Sequence, residues 1–183
     1  MFKTQFAKTR GRSRSLAYLG LVSLLAGVGA LAPAAFAGVD RPPTPTLAAA
    51  NFDFRDTSGE VRDQTAEHDA RLKAFEVTLR DGLSGNQKIE LKALSCQAER
   101  CSAQAPGLVA LAAQAKTAGV RYLLFGEIHK VSTLIGRVKF AVVDLKDDKP
   151  VCDRYMTYRG DTDEAWQHAA RFAVRDFADN CFP

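Results

Sequence analysis

The 183-residue sequence predicts an α/β (α+β) domain. The expected form is a two-layer sandwich, a mixed sheet of about five strands covered by three helices in the order βαβαβββα. Three observations lead there. Apolar residues recur at helical spacing in three segments, period-two or densely β-branched runs mark five others, and turn clusters rich in Gly and Asp separate them.

Leu47 to Phe54 reads as the first strand, followed by the turn cluster Asp56-Thr57-Ser58-Gly59. From about Glu60 the pattern becomes helical. His68, Leu72, Phe75, Leu79 and Leu83 make one apolar face, and Gly82, Gly85 and Asn86 stop the helix. Ile89, Leu91 and Ala93 alternate with charged residues as a half-buried strand. A loop with Cys96 and Cys101 leads to a short helix carrying Leu108, Leu111, Ala112 and Ala115, closed by Gly119.

Val120 to Val131 has the density of a central strand. Ser132 to Gly136 turns the chain, Val138 to Leu145 forms the next strand, and Asp147-Asp148 connects tightly to Val151–Tyr158. These three strands should form an antiparallel meander. Asp161, as a cap with Glu164 three residues on, opens a last helix that buries Trp166, Ala170, Ala173, Val174 and Phe177.

Residues 1–37 divide as a secretory signal does. Lys3, Lys8, Arg10, Arg12 and Arg14 are followed by the uncharged run Leu16–Leu31, then Pro33 and the small-x-small exit Ala35-Phe36-Ala37. Cleavage is expected after Ala37, leaving a Pro-rich spacer over 38–46 and a single domain over 47–183. Loss of five positive charges takes the net charge from +4 to about −1, so the basic character belongs to the leader. Nothing basic then remains to suggest nucleic acid or an anionic membrane surface.

The mature chain is expected in the periplasm, where an even cysteine count reads as disulfides. Cys96–Cys101 closes easily within one loop. Cys152 begins the last strand and Cys181 follows the last helix, which returns along the sheet, so this pair should staple the carboxy terminus. On the loop-entropy account that is worth about 3–4 kcal/mol.

No catalytic constellation is legible. No serine stands in a Gly-x-Ser-x-Gly elbow, no glycine-rich phosphate loop follows a strand, and the Cys96/Cys101 spacing is not that of a thioredoxin-type pair. Glu127 and His129 share a strand face and are the candidate metal ligands, two where a closed zinc site wants four. His68 reads as a packing residue at the rim of its helix. The acidic clusters Asp53/Asp56/Glu60 and Asp161/Asp163/Glu164 read as caps and turns.

Two blocks carry a resemblance, Phe125-Gly126-Glu127-Ile128-His129-Lys130-Val131-Ser132-Thr133-Leu134-Ile135 and Arg159-Gly160-Asp161-Thr162-Asp163-Glu164-Ala165-Trp166. Together with Phe52-Asp53-Phe54 and Asp56-Thr57-Ser58-Gly59-Glu60, they resemble an exported bacterial family known only as a domain of unknown function. Glu127-Ile128-His129 and Gly136-Arg137 depart from its pattern. The resemblance implies a fold similar to the amino-terminal domain of TolB and to lipoprotein activators of peptidoglycan synthases.

The resemblance also implies a non-catalytic binding or accessory role in the envelope, without a cofactor, with another periplasmic or envelope protein as partner. The rival reading is a binder of a metal or small molecule, accessory to a quinoprotein dehydrogenase system. The candidate binding surface is Lys130, Val131, Ser132, Asp161, Thr162, Asp163, Glu164 and Trp166. If these residues form a surface, strand end and helix start should lie together, and alanine at Lys130 or Asp163 should spare folding.

Overall fold

The structure is a computed structural model and describes residues 43–182. The expected leader and its cleavage point lie outside the described residues. The elements are β1 (Thr46–Ala49), β2 (Asp53–Asp56), α1 (Thr65–Ser84), β3 (Glu90–Lys92), α2 (Leu108–Thr117), β4 (Tyr122–Lys130), β5 (Ile135–Asp144), β6 (Lys149–Arg159) and α3 (Asp163–Asn180). They form the expected mixed sheet, six-stranded in order β3-β1-β4-β5-β6, with β2 also paired to β4. β1, β2 and β3 run parallel to their neighbours, whereas β4, β5 and β6 form the antiparallel meander.

Several boundaries differ from the sequence expectation, four of them with structural consequences. The first strand is broken between Ala49 and Asp53, because four steps there match only three on β4, from Leu124 to Glu127. Phe52 crosses β4 at Gly126, where a Cβ would stand 2.4 Å from the Phe52 ring. Glu76 holds the break in place. Its carboxylate accepts from Asn51 Nδ2 (2.6 Å), the Phe52 backbone N–H (2.9 Å) and Arg100 Nη2 (2.6 Å). α1 begins at Thr65 rather than near Glu60, and β5 begins at Ile135, so the turn is shorter than expected. The cap of α3 is Thr162, whose hydroxyl accepts from the Ala165 N–H, and not Asp161.

α1 and α3 cover one face of the sheet, burying Leu72, Phe75, Leu79, Trp166 and Phe177 against Leu124, Ile128, Val138 and Phe140. Leu123 and Leu124 are successive strand residues and point to opposite faces. Leu123 therefore belongs to a second cluster on the other face, with Ala48, Leu111, Ala115, Val120 and Leu145, built around α2. Cys96 is bonded to Cys101 beside that cluster, and Cys152 to Cys181 beside the first. At the end of the β4–β5 pair opposite its turn, Arg121 grips Asp144 with two hydrogen bonds of 2.8 and 2.6 Å. These, with the Lys146 backbone N–H, hold the Asp144 carboxyl at about 2.

Past α2 the second face is open. Successive rows across β4, β5 and β6 run Glu127–Lys139–Tyr155 and His129–Arg137–Thr157. A depression of about 320 Å³ lies on it, lined by Asp53, Gln104, Phe125, Glu127 and Lys139. No helix among the described residues is long and apolar enough to cross a membrane.

Candidate functional site

Lys130 is the last residue of β4 and, by alternation, shares the helix-covered face with Ile128. Only 2% of it is exposed. Its ammonium donates to Asp161 Oδ2 (2.8 Å), to Glu60 Oε2 and to Gln64 Oε1 (3.2 Å), and Asp56 Oδ2 stands 3.8 Å away. Three donors thus meet three acceptors.

Asp161 is equally filled. Oδ2 accepts from Lys130 and from His68 Nε2 (2.9 Å), while Oδ1 accepts from Arg71 Nη1 (3.1 Å) and Trp166 Nε1 (3.0 Å). Gly160 presents it, at a φ of 92° that side chains rarely tolerate. Burial on its own would push the Asp161 carboxyl up. The hydrogen bonds from Lys130, His68 and Trp166 more than reverse this and hold it well below the ordinary carboxylate value. Burial likewise opposes the Lys130 charge, yet Asp161 and Glu60 raise its pKa. Burial drives the neighbouring Tyr158 hydroxyl far above its usual value.

This arrangement is a cross-link within the chain. Every donor of Lys130 and every acceptor position of Asp161 is committed, so neither is free to hold or move a substrate proton. The cluster instead ties three separate connections together: the Thr57–Gln64 loop before α1, the β4–β5 turn and the start of α3. The Gly160 N–H donates to the Leu134 carbonyl (2.9 Å), and Arg71 also reaches Asp163 (2.8 Å).

Strand end and helix start do lie together. The candidate surface nevertheless needs correction, because Lys130 and Trp166, the latter 1% exposed, point inward and cannot touch a partner. The reason is strand parity for Lys130 and the apolar face of α3 for Trp166. Val131 and Ser132 are half-buried, while Thr162, Asp163 and Glu164 remain exposed at the rim. The sequence reading missed His68, Gln64, Arg71 and Glu60 as members. Only the odd placement of a histidine on the apolar face of α1 hinted at them.

Glu127 and His129 lie elsewhere, on the open face. Arg55 of β2 stands between them, donating to Glu127 Oε1 (2.8 Å) and to His129 Nδ1 (3.2 Å). Arginine cannot accept, so Nδ1 is the acceptor and the neutral ring carries its proton on Nε2, facing Thr57 Oγ1 at 2.7 Å. The ring therefore donates to Thr57 and cannot act as its base. The cation between the two candidate ligands is a guanidinium. No group of three or more His, Cys, Asp or Glu among the described residues is placed to hold a metal ion.

Burial and then Arg55 lower the His129 pKa from 6.5. The unfolded chain accordingly takes up a proton first as pH falls. The stability His129 supports is complete above about 6.5 and is lost as pH drops through the folded value. Arg55→Ala is expected to raise the His129 pKa back toward 6.5, as read by NMR titration of its ring. An unchanged or lower value would refute the role given to Arg55.

Residues 45–177 match the family model DUF3280, described as a protein of unknown function (DUF2380). The chain belongs to this family. No curated protein matches it. Among solved structures, this DUF3280 member is similar to the LpoB C-terminal domain from Escherichia coli. That match has 13% identity and a TM-score of 0.45, and covers 62% of this chain and 82% of the other. It is also similar to the PelC dodecamer from Paraburkholderia phytofirmans (13% identity, TM-score 0.42, covering 76% and 89%). A third match is TolB from Acinetobacter baumannii (13% identity, TM-score 0.43), of which the DUF3280 chain covers 30% while 74% of its own length is aligned. At these values the likenesses say nothing of what the chain binds.

Proposed function

We propose that the domain is a non-catalytic binding module of the cell envelope that engages another protein through the end of the sheet above the Lys130–Asp161 cluster. The observation that carries this is the cluster's saturation. A buried lysine and a half-buried aspartate, each with its bonds filled, join three loop ends and preset their outer surface, which lowers the entropy lost on docking. That surface displays Leu134, 69% exposed, and a fully exposed Val61, beside Thr162, Asp163 and Glu164. Apolar residues rimmed by polar ones suit a protein contact. The two disulfides suit an oxidising compartment.

A photo-crosslinking residue at Leu134, with a second at the exposed Val109 of α2 as control, tests the reading in cells. A discrete adduct is expected from position 134 and not from 109, and Asp163→Ala should weaken it while leaving the thermal midpoint within about 2 °C. The absence of any adduct at 134 from folded protein, or equal labelling at both positions, would count against it.

A further inference from the structure

β6 is an edge strand of eleven residues, Lys149–Arg159, paired only on its β5 side. Pro150 near its start is at home on an edge. Beyond that residue the strand offers a row of unpaired backbone groups, the feature on which another strand can build. Two of the exposed large apolar residues flank it, Tyr155 (59%) on the open face and Phe172 (48%) on α3. Phe172, Ala169 and Met156 line a groove of about 270 Å³ between α3 and this strand.

The charges on the strand are informative. Arg137 of β5 has no carboxylate partner among the described ion pairs, and its Nε is buried without a hydrogen bond. Its guanidinium lies over the Tyr155 ring, 5.8 Å from the centroid, leaning toward the edge. Its neighbour in register on β6 is the small Thr157. An acid on a strand added beyond Thr157 would sit two strand spacings, about 10 Å, from the β5 backbone. An arginine and an aspartate side chain reaching toward each other span that gap.

We propose that the missing strand is β6 of a second copy of this chain, paired antiparallel about a two-fold axis at Tyr155. In that register Thr157 faces the second copy's Asp153. The orphan Arg137 then meets that Asp153, and symmetry repeats the pair on the other side. Within one chain Asp153 has only a loose contact with Lys139, at 3.9 Å, so it is free to turn outward. The same operation extends the sheet, keeps both open faces on one side and brings the two α3 helices and their Phe172 rings toward each other. The unpaired edge, the unpaired guanidinium and the exposed rings are all accounted for by one contact. This inference does not depend on the docking end proposed above.

The test uses cysteine crosslinking and charge reversal on the purified chain. The described cysteines are all in disulfides, so an added thiol reports cleanly. Directly opposed antiparallel residues have Cα atoms about 4.5–5.5 Å apart, within disulfide reach. Tyr155→Cys should give a covalent dimer under mild oxidation, whereas Val77→Cys, exposed on α1, should stay monomeric. In sedimentation, Asp153→Arg and Arg137→Asp should each weaken dimerisation by roughly tenfold or more, and the double variant should restore it. A Tyr155→Cys chain that crosslinks no better than Val77→Cys overturns the proposal. So does unaltered self-association in both charge variants, or a monomer at all concentrations, even if other proteins bind this edge.

Discussion

Replacing Lys130 by methionine is expected to destabilise the domain by about 3 kcal/mol, in the range for breaking a buried ion pair. Methionine conserves the volume, so the loss reports the charge. The half-buried Asp161 is left with one fewer donor, and the Glu60 carboxylate loses the anchor that draws its loop inward. Urea denaturation measures the change. For a domain of this size it corresponds to a fall in Tm of roughly 6–12 °C. A double-mutant cycle with Asp161→Asn should return a coupling of about 1–3 kcal/mol. A loss under 1 kcal/mol would mean that the cluster does not clamp the three loops. The expectation from sequence, that alanine here spares folding, is reversed by burial.

The second large effect is expected at Glu76, a carboxylate in the middle of α1 with its side chain 5% exposed. Glu76→Ala leaves the Phe52 N–H and Asn51 Nδ2 without their acceptor, while Arg100 keeps only its bond to the Phe52 carbonyl. Each buried group left unpaired costs about 1–3 kcal/mol, so a combined loss of about 3–5 kcal/mol is expected. Asn51 also exchanges bonds with Cys101, its N–H to the Cys101 carbonyl (2.7 Å) and its Oδ1 from the Cys101 N–H (3.0 Å). Amide exchange in residues 96–105 should therefore quicken together with that of Phe52. Fast exchange confined to Phe52 would show that Glu76 supports the strand break alone.

Much of the fold was legible because burial imposes a period on the sequence. The spacing His68-Leu72-Phe75-Leu79-Leu83 and the dense run through Leu123, Leu124 and Ile128 state which side faces the core, whatever the partner. The broken first strand was not legible. Leu47 to Phe54 reads as one β-rich segment, and the break depends on Phe52 meeting Gly126, a residue 74 positions away. The block around Lys130 is recognisable in the sequence, but the burial of its side chain is not. A lysine at a strand end is usually solvated, and it is buried here because three acceptors arrive from two distant connections.

The amino-acid order alone determined the alternation of strands and helices, which faces were apolar, and that the four cysteines have matched locations along the chain. These are local properties, set by side-chain volume and backbone periodicity within a few residues. Only the tertiary structure decided that Lys130, Glu60, His68, Arg71 and Asp161 form one hydrogen-bonded group, that Arg55 separates Glu127 from His129, and that β6 ends the sheet. The physical reason is that a charge carries no preference for inside or outside until its counter-charges are placed. Those counter-charges come from segments up to about a hundred residues apart, brought together by packing that apolar periodicity drives but does not encode residue by residue.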